Sequence, residues 1–208
     1  MSQSWPLYLQ NKAKWMRKGT KEDKQLVIDI LVSAFLPIQE ENSINLIVKQ
    51  DHKRTERMTV LMEFLFYKSF HFGEVYIADN NQSCILLKFT DKERTTLKTL
   101  LWELRLAFKC IGPERVFKVL KRQRITERNY PKEPHIRPMI MGTKDEKKGN
   151  GTAARMMLKL ITTHRENHLP VVVDAAAEHN VRLYQKCGFK IIGKEEALNF
   201  PIWFLRLN

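Results

Sequence analysis

The sequence predicts a single α+β domain, and three observations lead there. Apolar periodicity switches between helical and strand-like several times along the chain. A short glycine-containing turn, Lys148-Gly149-Asn150-Gly151-Thr152-Ala153, runs directly into the helical pattern Ala154 to Ile161. The chain has 208 residues, 43% of them hydrophobic, which suits one domain with a proper core.

The elements follow in order. After a polar, Lys-rich start, Val27, Ile30, Leu31, Ala34 and Phe35 mark a one-sided helix that Pro37 closes. Gln39 to Asp51 is acidic at Glu40 and Glu41 and then briefly apolar. Met58, Leu61, Met62 and Leu65 set up a second helix ending near Gly73. Glu74 to Ala78 and Ser83 to Phe89 read as two strands joined by the turn Asp79 to Gln82, a β-hairpin. A long helical region from Asp91 to about Arg128 breaks at Gly112-Pro113. Leu97, Leu100, Leu101, Leu104 and Phe108 recur there at i, i+3, i+4, i+7 and i+11, predicting an amphipathic helix with its basic face outward. A loop with Pro131 and Pro134 leads to a strand, His135 to Thr143, then to the glycine turn and its helix. The strand at Val171, a helix from Asn180, and strands around Phe189 to Ile192 and Ile202 to Leu207 complete the chain.

Charge and cysteine content narrow the function. The net charge is +13, and Lys88 to Lys132 holds thirteen Lys/Arg against five Asp/Glu, so that segment carries 13 − 5 = +8. No nucleic-acid motif accompanies this charge, so a solvated basic surface with a general attraction for polyanions is expected, not a specific nucleic-acid site. No apolar run approaches the roughly 18 residues of a membrane span, and no basic start followed by an apolar block marks a secretion signal. Cys84, Cys110 and Cys187 are scattered, odd in number and without metal-ligand spacing. A reducing, cytoplasmic setting without a membrane partner is expected, as monomer or homodimer. No Ser/His/Asp or Cys/His nucleophile arrangement is visible, and Cys187 reads as a small buried side chain.

The glycine turn suits a phosphate. Glycines let backbone N–H groups approach an anion, and a helix N-terminus adds unpaired donors and a positive dipole end. Downstream, Asn180, Leu183, Tyr184, Lys186, Gly188 and Phe189 keep the spacing Asn-x-x-(apolar)-Tyr-x-Lys-x-Gly-Phe. With Glu146-Lys147-Lys148-Gly149-Asn150-Gly151 as a Gln/Arg-x-x-Gly-x-Gly/Ala motif, the two segments resemble the acyl-CoA signature of the GNAT superfamily of N-acetyltransferases. A shifted reading from Lys148 to Ala153 also fits the first motif. Glutamate at 146 departs from the family's Gln/Arg; Lys147 and Lys148 offset its charge.

The resemblance covers His135 to Ile192 most fully. It implies the GNAT acyl-CoA N-acyltransferase fold: three layers, with a mixed central sheet, a splayed strand pair and flanking helices. The whole of 1–208 would be one such domain, with a basic helical elaboration at about 91–131. It implies acetyl-CoA as co-substrate and direct transfer of the acetyl group to an amine. Lys147, Lys148, Gly149, Asn150, Gly151 and Thr152 would meet its phosphates. Met141, Gly142 and Thr143 would meet the pantetheine arm through their main chain, where the strand bulges. Pro138 agrees with a bulge, since proline is poorly tolerated in a fully paired central strand. Asn180 would bond the same arm, a helix N-cap being equally consistent. Tyr184 is the candidate general acid, since a phenol stays protonated at neutral pH and can protonate a departing thiolate. For the general base, His135, Asp174, Glu40, Glu41, Glu195 and Glu196 all stay open. So does the acceptor: a small amine, an amino acid, an antibiotic and a protein N-terminus each fit. A non-catalytic acyl-CoA or partner-binding protein is the rival reading, and a nucleic-acid-binding module a third, resting on charge alone.

Overall fold

The computed structural model describes residues 15–147, 149 and 151–208. Strand β1 (Met16–Lys18) and helix α1 (Lys24–Phe35) come first, followed by α2 (Ser43–Ile47) and α3 (Arg54–Phe72). The hairpin β2 (Gly73–Ala78) and β3 (Ser83–Phe89) follows, then α4 (Leu97–Leu106) and α5 (Val116–Asn129), separated by a π-helical turn (Ala107–Ile111) and a 3-10 turn (Pro113–Arg115) that meet at Gly112. The strand β4 (Ile136–Thr143), helix α6 (Thr152–His164), strand β5 (Val171–Ala175), helix α7 (Glu178–Lys186) and strands β6 (Lys190–Glu195) and β7 (Ile202–Leu207) complete the fold. Periodicity did not signal β1 or α2, which at three and five residues are too short to show a period. Their stability is local and tertiary. The Asn42 side chain caps α2 by accepting from the Ile44 and Asn45 N–H groups, and Arg54 donates to the Leu36 and Ile38 carbonyls.

The strands form one sheet in the order β1-β2-β3-β4-β5-β7-β6. Pairs are antiparallel except β4 with β5, which are parallel. Alternation along the strands sorts side chains between two helical layers. Ile85, Leu87, Ile136, Val171 and Val173 pack with Met156, Met157 and Leu160 of α6 and Val181 of α7. On the opposite face Val75, Ile77, Cys84, Leu86 and Ile140 pack with Leu31 of α1 and Met58, Met62 and Phe66 of α3. Farther along that face, Val172 and Phe204 meet Ile125 at the end of α5. The α5 part of the segment 91–131 thus lies over the C-terminal half of the sheet, while α4 packs on α3.

One expectation is overturned in α4. The residues predicted to be its buried stripe face solvent: Leu97 is 83% exposed, Leu101 65% and Phe108 65%, with Leu100 and Leu104 also exposed. The helix instead docks through Thr99 and Leu106, continuing into Cys110, all three buried. Trp102 stacks on Tyr67 of α3 with ring centroids 5.1 Å apart. At 100° per residue the two sets lie on opposite sides of the helix. An indole able to stack, together with the Thr96–Thr99 capping box that fixes the entry of the helix, outweighed the longer leucine repeat.

Candidate functional site

Gly149 and Gly151 both have positive φ, +83° and +75°, and a Cβ at either would meet nothing within 4 Å. Gly151 is the left-handed N-cap of α6, with no side-chain cap bond at the helix end. A thirteen-residue helix therefore starts beside two backbones bare of side chains, neither glycine crowded at its Cβ position, a geometry that accepts a phosphate. Thr152 opens the helix and is buried. Lys147 closes a 3-10 turn just before, exposed. Lys148 and Asn150 lie outside the described residues.

Beside this cradle, β4 and β5 part. Their register pairing is limited to Ile136↔Val171, so the main chain of β4 beyond it faces β5 without a ladder. On its other edge β4 stays paired, Met141 with Ile85, Gly142 with Cys84 and Thr143 with Ser83. The ladder to β3 shifts where Leu86 opposes Ile140 and Leu87 opposes Pro138. Met139 is the extra residue, so β4 bulges directly after its proline. Gly142 has a second duty: a Cβ there would stand 2.9 Å from Leu31 Cδ2 and 3.1 Å from Ala34 Cβ. Its missing side chain lets α1 close onto β4.

On α7, Asn180 does not cap the helix. The N-cap is Ala177, and Asn180 is the third helical residue, its N–H bonded to the Ala177 carbonyl. The helix begins two residues earlier than the motif suggested, which leaves the half-buried Asn180 amide free of capping. Tyr184 packs on the α6 side of the core, its ring 5.5 Å from that of Phe189. Its hydroxyl has no hydrogen-bond partner among the described residues. Burial, and then the negative field of Asp174, push its pKa up, keeping the phenol protonated. Cys187 is buried, which raises its thiol pKa.

On the opposite face of the sheet, alternation brings Lys88, Arg137 and Asp174 into the seam between the α1/α3 core and the α5 core. Lys88 and Arg137 are direct cross-strand partners, a like-charge juxtaposition that destabilises a sheet unless each finds an anion. Each does. Lys88 donates to Glu93 at 2.5 Å, and Lys68 reaches the same carboxylate at 2.7 Å. Burial opposes ionisation of Glu93, but the two ammoniums prevail and hold its pKa at about 2. Arg137 donates to Asp174 at 3.3 Å and lies over the Tyr130 ring, 4.8 Å from its centroid. The Tyr130 hydroxyl donates to Asp174 at 2.5 Å, and Arg122 of α5 donates to the other carboxylate oxygen. Burial raises the Asp174 pKa, yet the fields of Arg122 and Arg137 more than reverse this and the net shift is downward.

The remaining candidate bases are scattered. His135 precedes β4 and is buried; its Nδ1–H donates to the Glu133 carbonyl, leaving Nε2 without a partner among the described residues. Burial, with Arg137 and Lys88 nearby, lowers its pKa. Glu40 and Glu41 stand exposed in the α1–α2 loop, where Glu41 accepts from Asn199 of the β6–β7 loop. Glu195 accepts from Arg128 and Asn129, and Glu196 pairs with Lys194. Arg122, Tyr130 and Arg137 were not singled out in the sequence. The available signal was a cation at an inward position of each of two apolar strands, Lys88 in Ile85-Leu86-Leu87-Lys88-Phe89 and Arg137 in Ile136-Arg137-Pro138-Met139-Ile140.

No protein-family model and no curated protein matches the sequence. Solved structures do match in architecture. A histone acetyltransferase HPA2 and related acetyltransferase from Corynebacterium glutamicum superposes with TM-score 0.68 at 17% identity, over 92% of this chain and 94% of that one. The C-terminal condensation domain of Ebony, in complex with beta-alanyl-dopamine, gives 0.64 at 13%, over 92% and 97%. Arylalkylamine N-acetyltransferase 2 from Aedes aegypti gives 0.58 at 13%, over 92% and 97%. At these identities the likeness concerns the fold. With its mixed sheet, its splayed β4–β5 pair and the helices on both faces, this chain has the fold of the GNAT superfamily of N-acetyltransferases.

Proposed function

We propose that the chain is an acetyl-CoA-dependent N-acetyltransferase that passes the acetyl group directly to an amine. The observation that carries this reading is the pairing of an open, glycine-lined N-terminus of α6 with the parting of β4 from β5. Lys147, Lys148, Gly149, Asn150, Gly151 and Thr152 would hold the phosphates. The open edge of β4 at Met141, Gly142 and Thr143, with Asn180, would hold the pantetheine arm. Acetyl-CoA supplies an activated thioester, and Tyr184, kept neutral by burial, protonates the departing sulfur. The acceptor, a small-molecule or peptide amine, approaches from the face carrying α5 and the α1–α2 and β6–β7 loops. The engagement of Asp174 by two guanidiniums and a phenol favours reading it as structural and not as the base.

That engagement also supports a second reading, an acyl-CoA-binding protein without turnover. Two measurements separate them. Acetyl-CoA raises the melting temperature by mass action under either reading, and Gly151→Val, placing a β-branched residue at φ +75°, abolishes the shift. Release of free thiol from acetyl-CoA across a panel of amines occurs only under the first. No melting shift at millimolar acetyl-CoA refutes both.

A further inference from the structure

The outward side of α4 is an apolar ridge with no partner. Leu97, Leu100, Leu101, Leu104 and Phe108 form one stripe along about three turns, all exposed. Lone exposed leucines are ordinary, but a contiguous run of this kind marks an interaction surface. The helix is already anchored on its other side through Thr99, Trp102 and Leu106, so the ridge is not needed to hold α4 in place. The cations are placed as deliberately. At 100° per residue Lys98, Arg105 and Lys109 fall within about 40° of one another, along a single flank of the ridge. All three are exposed. Of the acidic residues nearby, Glu103 pairs with Lys68 and Glu114 with Lys49, while Glu63 pairs with Lys24 and with Arg105 itself, leaving Lys98 and Lys109 as the flank's cations without an acidic partner among the described residues.

Charge and shape decide the occupant. A second copy meeting this face symmetrically would set Lys98, Arg105 and Lys109 against their own equivalents, a repulsive arrangement. Nucleic acid would use the cations but leave five aliphatic or aromatic side chains unserved. A helix with leucine and phenylalanine on one side and lysine and arginine beside it lies in the plane of a bilayer interface, its apolar side chains among the acyl chains and its cations at the headgroups. We propose that the α4 ridge docks this protein peripherally on an anionic lipid surface. No described helix is long and apolar enough to cross a membrane, so the attachment is surface-bound and reversible. This revises the expectation of a protein without a membrane partner.

The test uses the full chain and vesicles of phosphatidylcholine, with or without about one third phosphatidylglycerol, read by co-sedimentation. The protein should pellet with the anionic vesicles and stay in solution with the neutral ones, and raising the salt should release it. Leu101→Asp with Phe108→Asp should weaken binding tenfold or more while leaving the far-UV spectrum and the acetyl-CoA melting shift unchanged. Lys98→Ala, Arg105→Ala and Lys109→Ala together should erase the preference for anionic lipid. Failure to bind anionic vesicles overturns the proposal. So does binding that the aspartate variants leave intact, or light scattering that shows a dimer which the same variants split.

Discussion

Replacing Asp174 with asparagine keeps the shape of the side chain and removes its charge. Asp174 is only 12% exposed; its ion-pair partners Arg122 and Arg137 are 13% and 22% exposed. The carboxylate takes three donors, from Arg122, Arg137 and Tyr130. An amide has one acceptor oxygen and no charge to offer two guanidiniums that cannot deprotonate. Breaking a buried pair by removing one partner costs about 3–5 kcal/mol, because the other charge stays buried and uncompensated. For a chain of this length about 1 kcal/mol moves Tm by roughly 2–4 °C, so Asp174→Asn should lower Tm by roughly 6–20 °C. Circular-dichroism melts with urea titrations at low and high salt measure this, and salt should change the difference little because the pair is buried. Adding Arg137→Met should restore part of the loss, and a double-mutant cycle gives the coupling directly. A Tm within about 2 °C of the parent would refute the structural assignment. Loss of turnover at unchanged stability would make Asp174 the general base.

Three further outcomes follow from the same structure. Tyr184→Phe should lower kcat by roughly 10²–10⁴-fold with little change in acetyl-CoA affinity; full kcat under chemistry-limited turnover makes Tyr184 a packing residue, and steady-state kinetics decide. Gly142→Ala places a methyl 3.1 Å from Ala34 Cβ, an overpacking that costs about 1–3 kcal/mol and should show in urea titration; a neutral result means α1 can retreat from β4. Hydrogen bonding by His164, then by Lys18 and Tyr76, holds the Glu74 pKa at about 2, below its usual 4.5. Its stabilisation, about 3 kcal/mol, is therefore present above pH 4.5 and lost as the pH falls toward 2. Glu74→Gln should destabilise the protein at neutral pH and flatten the acid decline in that window, and unfolding titrations from neutral pH to about 2 decide; a parallel acid limb clears Glu74.

The order of elements was legible because long apolar periods survive tertiary packing. Helices α1, α3 and α6 and strands β2, β3 and β5 lie where their repeats place them. The glycine turn before α6 was legible because its glycines carry the signal, and both adopt positive φ. What stayed hidden depends on partners far apart in sequence. Arg122 and Asp174 are 52 residues apart and share a bond only because α5 lies across the sheet. The face that α4 buries was misread because the helix is apolar on two sides, and periodicity cannot say which one a tryptophan will claim.

The parting of β4 from β5 leaves the two half-sheets joined along their backbones at one register pair. On the α5 side, what spans the gap is chiefly ionic: Arg137 from one half, Asp174 from the other, and Arg122 reaching in from above. The width of the cleft is thus governed less by an amide ladder, which admits only fixed spacings, than by side chains whose reach can be lengthened or shortened one substitution at a time. A wedge built this way can change its opening angle while every strand keeps its register.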